Sequence, residues 1–143
     1  MRFHLPLALP AAAFLALAPL APAAYAKTVD FSGHFKPEGS VTTSPEGEVK
    51  GTLNTKTGRV TYQITYSGLS GPVIGAHFHG PAAEGSEAPV LLPIPGPYSS
   101  GMHGELKANA ATEKAMLRGM TYVNLHTQKY PMGEARAQVK IAS

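Results

Sequence analysis

The chain has 143 residues with a formal net charge of +3, no cysteine and six histidines. A chain of this size supports one folded domain, which excludes a multidomain enzyme. The missing cysteine excludes thiol chemistry, and the absence of any Lys/Arg run argues against nucleic-acid binding.

The first 26 residues carry Arg2, then an uncharged apolar stretch over residues 5–20, and end in Ala24-Tyr25-Ala26. This is the pattern of a removable signal peptide. Pro6, Pro10, Pro19 and Pro22 interrupt the stretch, and it falls short of the roughly 20 apolar residues a bilayer span needs. The expected mature chain is therefore one exported domain, residues 27–143, in the periplasm or the medium, without a transmembrane segment. Loss of Arg2 takes the formal charge from +3 to +2, close to balance.

Residues 28–36 alternate, with Val29, Phe31, Gly33 and Phe35 on one face and Asp30, Ser32, His34 and Lys36 on the other, so a first strand is expected. A Pro/Gly/Ser-rich connection follows. Residues 48–67 read as a hairpin turning at Thr57-Gly58, with Val49 and Leu53 on one arm and Val60, Tyr62, Ile64 and Tyr66 on the other. In residues 73–79, Ile74, Ala76 and Phe78 share one face while Gly75, His77 and His79 share the other. Residues 89–97 are apolar but hold Pro89, Pro93, Pro95 and Pro97, which suits an edge segment because proline lacks the ladder donor.

A further strand is expected from Met102. Residues 111–119 suggest one short helix, with Thr112 as a cap and Gly119 just past its end. Residues 120–127 set Tyr122, Asn124 and His126 against Val123 and Leu125. Residues 133–142 set Ala135, Ala137, Val139 and Ile141 against Glu134, Arg136, Gln138 and Lys140 on the outward face, with Arg136 in a surface or cross-strand pair with Glu134 or a neighbouring carboxylate. About seven short strands and little helix predict an all-β antiparallel sandwich with some crossing connections.

His77 and His79, two apart on a strand, project from the same face about 7 Å apart along the backbone. His126 leaves the core in the same way on its own strand, so three imidazoles converge if those two strands are neighbours. His103, between Gly101 and Gly104, is the expected additional ligand. Met102, Met120 and Met132 offer thioethers, although methionine more commonly fills cores. Imidazoles without thiolate suit Cu(II), Zn(II) or Ni(II), with copper favoured by intrinsic affinity. Arg136, on the strand expected to follow His126, could steer a small anion such as superoxide to that ion. His34 reads as a polar surface residue. No nucleophile elbow or phosphate-binding loop is present.

The blocks AHFHGPAAEGSEAPVLLP (residues 76–93) and LRGMTYVNLHTQKYPMGEARAQV (residues 117–139) resemble the CHRD domain, a module first named from chordin and found in bacterial exported proteins. The resemblance rests on His77, His79, Gly80 and Pro81, and on Gly119, Tyr122, Val123, Asn124, His126, Thr127, Tyr130, Pro131, Gly133, Glu134, Arg136 and Gln138. It implies an immunoglobulin-like or superoxide-dismutase-like β-sandwich with Greek-key character, outside the cytoplasm, with a poorly defined activity. HFHGP is also similar to the histidine strand of copper-zinc superoxide dismutases, but no cysteine pair or zinc-binding loop accompanies it. Two functional expectations result: a copper site with dismutase-like redox chemistry or metal storage, and a non-enzymatic binding or matrix module whose histidines are structural. The sequence leaves the oligomeric state open.

Overall fold

A computed structural model of the chain describes residues 27–143. The signal peptide expected over residues 1–26 lies outside the described residues. Among those described, the elements in chain order are β1 (Thr28–His34), β2 (Lys36–Pro37), β3 (Glu46–Asn54), β4 (Arg59–Ser67), β5 (Val73–His79), β6 (Val90–Ile94), β7 (Met102–Lys107), α1 (Ala110–Leu117), β8 (Thr121–Thr127) and β9 (Ala135–Ile141).

The strands hydrogen-bond in the order β6-β5-β8-β9-β1-β3-β4-β7, with β2 beside β9, and the pairings are antiparallel. β1 meets β9 only at Phe31–Ile141 and Ser32–Lys140, so a narrow seam joins two layers, β6-β5-β8-β9 and β1-β3-β4-β7. The expected all-β sandwich is what forms. The connections from β4 to β5 and from β6 to β7 cross between the layers. Among the described residues β6 lies at an edge and pairs with β5 alone, which suits Pro93 within it and Pro89, Pro95 and Pro97 around it.

Strand alternation sends Val29, Phe31, Val49, Leu53, Val60, Tyr62, Ile64, Ala76, Phe78, Val123, Leu125, Ala137 and Val139 into one core. Phe78 is its centre: Phe31 and Tyr62 of the opposite layer meet it edge-on at 6.2 and 6.4 Å. Burying such a ring contributes roughly 2–3 kcal/mol. Because Phe78 sits between His77 and His79, the same burial fixes both histidines on the outer face.

Three expectations are corrected. Ile74 is 58% exposed, because the β5–β8 register slips between Val73 and Gly75 and Val73 takes the inward position. The helix cap is Asn109, whose side chain accepts from the Thr112 N–H at 2.8 Å, while Thr112 itself is buried. Glu134, expected on the surface beside Arg136, is 0% exposed. Its carboxylate accepts from Thr43 Oγ1, Ser70 N and Ser70 Oγ at 2.7 Å each and from Thr127 Oγ1 at 2.5 Å. These donors replace the water that burial removes.

Candidate metal centre

β5 and β8 are neighbours, and their register sets His77 opposite Asn124, His79 opposite Tyr122 and Gly75 opposite His126. With Ala76, Phe78, Val123 and Leu125 turned inward, His77, His79, Tyr122, Asn124 and His126 share the outer face. The His126 ring lies across Gly75 towards His77. A Cβ at that glycine would stand 3.7 Å from His126 and 3.8 Å from His77, touching both rings.

The three half-buried imidazoles each bring a ring nitrogen to within 4.8 Å of the others. His77 Nδ1 and His126 Nε2 are 3.0 Å apart. The outer nitrogens are tied to backbone: His126 Nδ1 donates to the Pro131 carbonyl at 2.9 Å, and His79 Nδ1 to the Ala88 carbonyl at 2.8 Å. A carbonyl only accepts, so both Nδ1 atoms carry a proton, and in the neutral ring Nε2 is left with a lone pair. His126 Nε2 therefore receives the His77 Nδ1–H. Carbonyl partners of this kind fix tautomer and orientation in metal-ligating histidines. The His77–His126 separation is also that of two nitrogens on one ion, which at about 2.0 Å each stand on the order of 3 Å apart.

His79 has a second contact, Nε2 to the Asn124 amide oxygen at 3.0 Å. A neutral ring donates from one nitrogen only, so with Nδ1–H on the Ala88 carbonyl the Asn124 amide turns to present its NH2 to Nε2. The other end of the Asn124 amide stands 3.5 Å from Glu38 Oε2. The carboxylate approaches this closely because residue 133 is glycine, at φ 128°; a Cβ there would collide with Glu38 Oε2.

Burial, then the charges of His126 and His79, lower the His77 pKa below its ordinary 6.5. Burial lowers His126 as well, against the raising effect of the Pro131 carbonyl. Both rings are thereby held neutral, the form in which imidazole binds a metal. Burial raises the Glu38 carboxyl, with Asn124 and Arg136 offsetting it in part.

His103 is not brought to this group. It stands exposed on β7, opposite Gln63, with Nδ1 towards the Gly101 carbonyl at 3.3 Å. β7 pairs with β4 and not with β5 or β8, and His103 is not among the converging histidines. Met102 is buried in the core and Met132 is 86% exposed. His34 is exposed, as expected, and lines a cleft of about 470 Å³ with Lys36, Glu38, Glu84, Arg136 and Lys140.

Arg136 pairs across β8–β9 with Asn124 but makes no contact with Glu134. Its Nη1 donates to Ser86 O at 2.6 Å, and Nη2 to Ala83 O and Gln138 Oε1 at 3.0 Å each. The guanidinium carbon lies 3.5 Å from the Tyr122 ring centre, and Tyr122 is stacked with His79 at 5.0 Å and 7°. Glu38 and the carbonyls of Ala88 and Pro131 were not singled out in the sequence. Backbone acceptors leave no side-chain signature, and Glu38 sits in a stretch whose composition marks only a loop.

Residues 27–139 match the family model described as CHRD domain, and the chain belongs to that family. No curated protein and no solved structure matches it.

Proposed function

We propose that this CHRD-family chain is an exported metal-binding domain in which His77, His79 and His126 hold one copper ion. In this reading residues 1–26 are the signal peptide and residues 27–143 the working domain. The observation that carries it is the convergence of three ring nitrogens within 4.8 Å, with two of the rings anchored through Nδ1 to carbonyls. Copper is preferred to zinc or nickel because a site of imidazoles alone follows the intrinsic order of affinities. Copper would supply one-electron chemistry, the basis of the dismutase-like activity towards superoxide. With His103 outside the group, a coordination position is left for water or a small anion. Arg136 contributes long-range charge to such an anion, since both its terminal nitrogens are already bonded.

The alternative is a binding or matrix module with structural histidines. The cross-strand bonds His77–His126 and His79–Asn124, each 3.0 Å, favour it. Thermal unfolding with and without copper separates the two. The metal reading expects copper to raise the melting temperature of the wild type, by an increment equivalent to about 2.7 kcal/mol at a hundredfold excess over Kd, and not that of His77→Ala/His79→Ala. Azide should then perturb the copper absorption of an open site. Equal melting curves with and without copper in the wild type would favour the structural module.

A further inference from the structure

We propose that Arg136 is a positioning residue for His79: it locks the 80–88 loop and backs the Tyr122 ring, and so fixes the rotamer and tautomer of that imidazole. The proposal rests on the reading of His79 as a metal ligand, but the positioning itself is a property of the metal-free protein.

The path is continuous. Arg136 takes the carbonyls of Ala83 and Ser86, and its neighbour on the same face, Gln138, donates to Ala82 O and Gly119 O at 2.9 Å each. Three carbonyls of one loop are thus held from β9. The loop then returns at Ala88, whose N–H lies 3.1 Å from the Tyr122 hydroxyl and whose carbonyl takes the His79 Nδ1–H at 2.8 Å. Guanidinium, phenol and imidazole form one connected stack, with the phenol and imidazole only 7° from parallel.

This use of the side chain accounts for its chemistry better than attraction of an anion does. Its terminal N–H groups are spent on neutral oxygens, and among the described residues it makes no ion pair, although Glu38 is near enough to feel its charge. What the site exploits is a planar fork that can bond two carbonyls while lying on an aromatic face, which lysine cannot reproduce.

The test is Arg136→Lys, which keeps the charge and removes the fork. Nitrogen NMR of the histidine rings in the metal-free protein, and copper affinity by titration, are read side by side. In the wild type His79 and His126 should both show the Nδ1–H tautomer. In Arg136→Lys the His79 pattern should become a tautomer mixture while His126, anchored on Pro131, stays unchanged as the internal control. Copper affinity should fall tenfold to a hundredfold, the range for outer partners of a ligating histidine. Unchanged His79 signals in Arg136→Lys would overturn the proposal, whether or not copper binds. So would a loss confined to Arg136→Gln, which would mean that charge alone matters. If the wild type binds no copper yet His79 loses its tautomer in Arg136→Lys, the metal reading falls and the positioning role stands. Should Arg136→Lys fail to fold, Tyr122→Phe cuts the path at the Ala88 N–H while keeping the stack; it should loosen the His79 tautomer and weaken copper by about threefold. A wild-type His79 pattern in that variant would contradict the path.

Discussion

The β8–β9 hairpin carries two polar clusters that differ in how their hydrogen bonds close. Glu134, just before β9, is wholly buried, and four donors from Thr43, Ser70 and Thr127 saturate its oxygens. The histidines beside it on β5 and β8 are half-buried, with His77 Nδ1 and His126 Nε2 sharing one proton across 3.0 Å and His79 Nε2 resting on Asn124. A closed cluster spends its bonding capacity on the fold: Glu134 ties the loops before β3 and before β5 to the hairpin. An open cluster holds its inner nitrogens through a shared proton and an amide contact, both of which an ion can displace.

The largest expected effect separates the two. Glu134→Ala leaves the Thr43, Ser70 and Thr127 donors without their acceptor and should cost about 3 kcal/mol in chemical denaturation. Its copper-dependent stabilisation should nevertheless persist, because no imidazole depends on that carboxylate. His77→Ala/His79→Ala is the converse: the metal-free protein should lose only about 1 kcal/mol, since partly exposed ring bonds are exchanged for water, while copper stabilisation disappears.

Acid should resolve the clusters along the pH axis. His77 and His126 titrate below their ordinary 6.5 in the folded chain, chiefly through burial, so their contribution is complete above 6.5 and is lost as pH falls through the lower folded values. Burial raises the Glu134 carboxyl, but the bonds from Thr127, Thr43 and Ser70 outweigh it, and its contribution is lost only below 4.5. Glu38, raised by burial, works in the opposite sense between its folded value and 4.5. Stability measured by denaturant against pH should therefore fall in two stages, with the upper one absent from His77→Ala/His126→Ala. The smallest effect belongs to neither cluster: the Arg59–Glu105 pair at 2.6 Å is more than half exposed at both ends, and Glu105→Ala should change stability by less than about 0.5 kcal/mol.

Alternation alone made most strands legible, because each presents one face to a single core and the other to solvent. It also gave the shared face of His77 and His79, and a place for His126 if β5 and β8 were adjacent. Adjacency itself was not legible, nor was the slip that exposes Ile74, since both are settled by pairing with β8, about 50 residues on. Glu134 misled for the same reason: period two assigns it outward with Arg136, and the Thr43 that completes its burial lies 91 residues away. Arg136 was visible as a charge near the histidines, but its acceptors are carbonyls of the 80–88 loop, where side-chain identity carries no information. His103 had the right residue type and flexible neighbours, yet the strand order set it on β7, beside β4.

The central claim is that the open cluster holds one metal ion. It is tested most directly by elemental analysis and copper titration of residues 27–143, purified without a histidine tag, beside His77→Ala/His79→Ala. The account predicts one equivalent of tightly held copper in the wild type and none in the variant. Equal, weak copper binding by both proteins would contradict it and leave the histidines as cross-strand structural bonds.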